Sequence, residues 1–199
     1  MHTHDAVTHV IHNMIKSADL NAHREVKHSI EHNSRSDITI FNVPGGSYKQ
    51  TVMIDFAQVN PFASSYITRN PMVGDAINIK EKQKISKYTN ANLINEESEL
   101  IPIIMDSMGL INKKGISLIK HISSIIGNIH GVQEFIIYKY WMKRIQVVFQ
   151  QSIANAIVSR SYTIRKRYNG LDYTCQLPYI MQDSYRIYSS NFNCSDRLD

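Results

Sequence analysis

The chain has 199 residues, with 22 Lys and Arg against 17 Asp and Glu, nine His and two Cys, for a formal net charge of +5. With 43% hydrophobic and 20% charged residues it can bury a core, which excludes global disorder, and its length suits one domain with an arm better than two full domains. No apolar run reaches the roughly 18–20 residues that span a bilayer, the first residues lack a secretion-leader pattern, and Cys175 and Cys194 form neither a disulfide framework nor a CxxC zinc pair, so an intracellular protein is expected.

In chain order, Val7, Val10, Ile11, Met14, Ile15 and Ala18 recur at helical spacing and predict an amphipathic helix. Ala22 to Ile30 suits a short polar strand. Ile38 to Phe41 and Thr51 to Val59 are β-rich runs around Pro44-Gly45-Gly46 and predict a hairpin, stopped by Asn60-Pro61. Asp75 to Asn92 predicts a charged helix, and Leu100 to Met105 is short and apolar, as a buried, parallel strand would be. Helices are expected over Leu110–Ile126 and Val132–Val158, separated by Gly127 and Gly131; past Arg160 the periodicity fades into a weakly ordered tail. The order predicts an α/β core with a helical extension.

The charge is uneven. Residues 1–138 hold 13 bases and 13 acids, while residues 139–199 hold nine and four, so the last segment supplies the whole excess. Lys139, Lys143, Arg144, Arg160, Arg165, Lys166 and Arg167 come with no acid between Lys139 and Tyr168. A polyanionic partner fits that run; a solvated helix face fits it equally.

Two carboxylates stand out. Asp37 opens the first hairpin strand, and Asp55 interrupts an apolar strand between Ile54 and Phe56. A carboxylate buried there without a partner is costly, so it needs a cation, a metal or a route to solvent. Two such groups across a hairpin could hold a divalent ion through hard oxygens; polar strand ends are the plainer account. Lys84, Lys87 and Tyr88 share one face of the charged helix, where a lysine could neutralise a phosphate or simply face water. His9 and His12, one turn apart and preceded by His2 and His4, suit a polar face better than a zinc site.

Arg35-Ser-Asp37, Val52-Met-Ile-Asp55-Phe-Ala57, Asn60-Pro61, Lys84-Ile-Ser-Lys-Tyr88 and Leu100 to Gly109 form an ordered series. It resembles the restriction-endonuclease-like domain found downstream of the reverse transcriptase in certain non-LTR retrotransposons and related mobile-element proteins, of the PD-(D/E)XK nuclease superfamily. The helix around Tyr140 to Ala156 and the opening His4 to Ile11 are similar to the segments that flank that domain, so the resemblance spans about residues 4–160. It implies a restriction-endonuclease-like α/β core over residues 1–108 (helix, strand, hairpin, helix, strand), a helical extension over 109–160 and a basic tail over 161–199.

The resemblance also implies roles. Asp37 and Asp55 would bind Mg2+ or Mn2+, Lys84 or Lys87 would be the catalytic lysine, and Tyr88 would close the site or touch the backbone. Tyr88, Lys139, Lys143, Arg144, Arg165, Lys166 and Arg167 would contact the substrate. The partners implied are DNA, or RNA, and a reverse transcriptase of the same element, with no membrane and a nuclear place of action. Two positions depart from the superfamily pattern: Ser36 stands where a proline precedes the first acid, and Ala57 stands where a lysine follows the second. Activity would therefore depend on the helix lysines. The alternatives are an inactive, truncated mobile-element remnant that binds nucleic acid through its basic C-terminal region, and an interaction protein with an acidic partner.

Overall fold

A computed structural model describes residues 3–28, 35–45, 47–67 and 72–168, with side chains to 161. The chain divides into two compact units, Met1–Ile157 and Val158–Asp199. In the second, only the helical residues up to Tyr168 are described; the expected tail beyond them, with Cys175 and Cys194, and the side chains of Arg165, Lys166 and Arg167 lie outside the described residues.

The first unit is α/β. Helix α1 (Thr3–Ser17) leads into strands β1 (Asn21–Lys27), β2 (Arg35–Phe41) and β3 (Thr51–Val59), then helix α2 (Asp75–Asn90), strand β4 (Ser98–Asp106), and helices α3 (Lys113–His130) and α4 (Glu134–Tyr168). The sheet is mixed, in the order β1-β2-β3-β4. β2 pairs antiparallel with both β1 and β3, with Ile38 opposite Ile54 and Ile40 opposite Val52. β4 lies parallel to β3, Ile54 against Ile101. A parallel neighbour needs a crossover, and α2 supplies it.

Strand alternation sorts the apolar residues onto two faces. On one face Ile38, Ile40, Val52, Ile54, Phe56, Ile101, Ile103 and Met105 meet Val7, Ile11, Met14 and Ile15 of α1 and Leu118, Ile119 and Ile122 of α3. Trp141, Ile145 and Phe149 of α4 enter the same core. On the other face Met53 and Leu100 meet Tyr88 of α2, while Ala57, Val59 and Ile104 meet Ala76 and Ile77. β3 and β4 are therefore covered on both sides, which is why they read as nearly continuous apolar runs. Each such isoleucine, fully buried, contributes about 2 kcal/mol.

Two helix boundaries differ from the expectation. Gly127 was expected to separate two helices, yet it lies inside α3, and the helix ends at Gly131, which adopts φ 65°. The chain folds back over Gly127: the amide of Val132 donates to its carbonyl oxygen (3.0 Å), and a Cβ on Gly127 would sit 2.5 Å from the Val132 carbonyl oxygen. Glycine is there to permit close approach of backbone, not to break the helix. Gly127→Ala should lower stability by about 1–2 kcal/mol, because the forced shift of the turn outweighs the gain in helix propensity. A urea melt checks this, and an unchanged or raised midpoint would contradict it. The second difference is α4, which continues through Arg160 to Tyr168. Its apolar stripe does fade, but no Gly or Pro interrupts the chain before Gly170, so good helix formers carry the helix on.

Candidate active site

The two carboxylates singled out by sequence come from adjacent strands. The pairing of β1 with β2 passes from Arg24–Ile38 to Val26–Ser36 and skips Glu25 and Asp37, and Glu25 adopts φ 57°. The register is the same on either side, so this is a local break in the pairing that leaves Asp37 without a ladder partner on β1. Just before it, the buried Ser36 hydroxyl bonds to the Thr39 hydroxyl (2.7 Å) and the His28 ring (2.8 Å), which pins the start of β2. Asp37 then turns to β3, where its Oδ2 accepts from the backbone amide of Phe56 (2.7 Å). The same oxygen lies 2.9 Å from Nε2 of His4, in the first turn of α1.

Asp55 is buried, only 5% exposed. Its Oδ1 accepts from Nζ of Lys84 at 2.7 Å. Lys84 arrives from α2 because Ile77, Glu81, Lys84 and Tyr88 follow helical spacing on the face turned to the sheet. Glu81 is tied to Asn112 Nδ2 (3.1 Å) and pairs with Lys114 (3.6 Å). Asn112 in turn donates to the Pro102 carbonyl oxygen (2.9 Å), and its Oδ1 accepts from the Ile104 amide (3.1 Å). The carboxylamide thus fastens α2 to β4 one turn before the lysine.

Burial pushes the Asp55 carboxyl above the ordinary carboxylate range. The Lys84 ammonium pulls it down without cancelling that effect, and the charge of Asp37 adds to the rise, so the two carboxylates sense each other. The Tyr88 phenol is driven far above its usual range by burial and by both aspartates, which keeps it a donor. It donates to the Arg35 carbonyl oxygen (2.7 Å) and also favours the charged form of Asp55. His4 is raised from 6.5, mainly by its hydrogen bond to Asp37 against opposing desolvation, so its contribution to folding is full below 6.5 and fades as pH climbs through the raised value.

The structure therefore brings Asp37, Asp55 and Lys84 together, and adds His4. Lys87 is exposed, its ammonium 5.9 Å from the Tyr88 ring centre, and Lys84 is the lysine that meets the acid. Tyr88, expected to contact substrate, is 1% exposed and spends its hydroxyl on the backbone of Arg35, so it is a strut under the site. Lys139, Lys143 and Arg144 lie on α4, which packs on the α1 and α3 side of the sheet, whereas Lys84 comes from the α2 side. His9 and His12 serve separate local bonds, to Asn13 and to the Ala22 carbonyl oxygen.

Among the described residues no group of three or more His, Cys, Asp and Glu is gathered to hold a metal. Two neighbouring carboxylates still suit Mg2+, which keeps several waters and takes one or two carboxylates with substrate phosphates completing its shell. Sequence reasoning missed His4, whose role depends on where α1 begins relative to β2, and missed Asn112, whose contacts are long-range; neither leaves a local signal. No helix among the described residues is long and apolar enough to cross a membrane. Compared with known proteins, the chain matches no protein-family model and no curated protein.

Proposed function

We propose that the chain is a metal-dependent DNA endonuclease domain of the PD-(D/E)XK type, of the kind associated with the reverse transcriptase of non-LTR retrotransposons. The observation that carries this reading is the Lys84 ammonium 2.7 Å from Asp55. A nuclease of this type with Ala57 after its second acid needs its lysine from elsewhere, and α2 delivers one. The element order is consistent with the reading: one helix, three antiparallel strands, a crossover helix and a parallel fourth strand.

In this reading Asp37 and Asp55 would hold Mg2+ or Mn2+. When bound, such an ion would supply an activated water and offset charge on the phosphodiester. The Phe56 amide and His4 fix the direction of Asp37. Lys84, whose side chain is 21% exposed, can release Asp55 to the ion and turn its three donors to a phosphoryl oxygen. Burial of Asp55 lowers the local dielectric and strengthens its attraction to a cation. DNA is the substrate and the nucleus the place of action, with the element's own polymerase as partner.

The test is nicking of supercoiled plasmid with Mg2+ or Mn2+. Asp55→Asn, which keeps the shape of the side chain, should lower the nicking rate by roughly a hundredfold or more while the circular dichroism spectrum and melting point stay those of a folded protein. Equal nicking by both proteins would overturn the reading. Salt-dependent binding by the wild type without any nicking would leave instead the nucleic-acid-binding remnant.

A further inference from the structure

We propose that the exposed half of α4 between Phe135 and Val147 is a platform for unpaired nucleic acid, so that the substrate of the site proposed above carries a single-stranded segment. The inference deepens that reading, and its test does not depend on cleavage.

Helical spacing divides this stretch into two halves. Trp141, Ile145 and Phe149 point into the core, while Phe135, Ile136, Tyr140 and Val147 are 59%, 55%, 50% and 50% exposed. An ordinary surface helix has one apolar stripe and a polar back; this one is apolar on both sides. The second face is also cationic. The Lys139 ammonium lies 4.2 Å from the Phe135 ring centre. The Arg144 guanidinium lies 5.7 Å from the Tyr140 ring centre and donates to the Tyr140 hydroxyl (2.7 Å). Lys143 is exposed between them, and no acid occurs from Phe135 to Ser161.

Exposed rings flanked by cations suit one partner class best. Bases without a complement stack on aromatic faces while neighbouring cations follow the phosphates. A duplex would use the cations and leave the rings idle. A second copy of the chain meeting this face on itself would bring Lys139, Lys143 and Arg144 toward their own kind, and the centre of a protein interface is depleted of charge.

The experiment is fluorescence anisotropy of the full chain, in EDTA, with labelled oligo(dT) and with a blunt duplex of equal length. Wild type should prefer oligo(dT). Tyr140→Ala should weaken oligo(dT) binding by roughly tenfold, within the range for loss of one stacked base, and leave duplex affinity unchanged; Tyr140→Phe should bind as wild type. Phe135→Ala is a second variant on the same exposed face and should act like Tyr140→Ala. Equal loss on duplex and single strand, or no loss with either variant, overturns the proposal. So does wild type that binds phosphatidylserine vesicles as tightly as oligo(dT), or that sediments as a dimer broken by Tyr140→Ala. A protein that nicks nothing yet prefers single strands leaves this inference standing and removes only the nuclease reading.

Discussion

Lys84→Met should destabilise the protein by about 3 kcal/mol at neutral pH, because it leaves the buried Asp55 carboxylate without its cation. The deficit should depend on pH, and its sign follows from the carboxyl's raised value. Burial already lifts Asp55 above the ordinary 3.8 even with Lys84 beside it. Without the ammonium the rise is larger, so the folded variant binds a proton at a pH where the unfolded chain does not. Its folding is then favoured as pH falls through the raised value toward 3.8, and the gap to wild type narrows. His4 titrates in both proteins and cancels in the difference. Urea melts of both proteins at pH 7.5 and pH 5 check this. An equal gap at the two pH values, or no gap, would mean that the ion pair is not what keeps Asp55 charged. The same variant should lose nicking activity by roughly a hundredfold or more, and that loss should persist at the lower pH, where the stability gap has narrowed. Comparison of the two pH values thus separates the fold's need for the lysine from the reaction's.

Phe149→Ala should cost about 3–5 kcal/mol, the usual range for emptying a large buried aromatic site. Phe149 has no exposed surface and belongs to the same core as Ile54, Phe56 and Ile103. If α4 were merely appended to the sheet, the variant would fray the helix and leave the strands alone. The expected result is loss of stability across the whole first unit, read as faster amide exchange in β3 and β4 together with a lower urea midpoint. Exchange that accelerates only in α4 would show that the sheet stands without it. Removal of the chain from Glu134 onward should be more damaging still, since Trp141 and Ile145 leave the core along with Phe149.

Much of the fold was legible because its signals are local. The α1 stripe, the β3 run, the crossover helix and the apolar β4 all follow from spacing and from which residues bury on one face or two. The site was legible in part for the same reason: a carboxylate between Ile54 and Phe56 demands a partner wherever it occurs, and a helix lysine could be named as one. What spacing could not supply was the choice between Lys84 and Lys87, three residues apart on similar faces, which depends on how α2 rotates against β3. Nor could it supply His4 or Asn112, whose importance comes from partners 33 and 10 residues away. Gly127 was misread because a glycine that breaks a helix and one that admits a crossing backbone look alike in one dimension.

Asn112 has a consequence beyond holding α2. β4 is the outermost strand of the sheet, and its sequence, Leu100-Ile-Pro-Ile-Ile-Met105, is the kind that pairs readily with another copy of itself. Pro102 has no amide to offer such a newcomer. Asn112 occupies the neighbouring groups: its side chain takes the Pro102 carbonyl oxygen and the Ile104 amide, and its own amide takes the Ile104 carbonyl oxygen (3.1 Å). Together with the Leu110 carbonyl oxygen, which accepts from the Asp106 amide (2.9 Å), this residue covers the rim of the sheet from Pro102 to Asp106. Asn112→Ala should form thioflavin-positive aggregates on standing where the wild type does not, even where the native fold survives; a clear solution of the variant would mean that Pro102 and the Leu110–Asp106 backbone bond suffice to guard the edge.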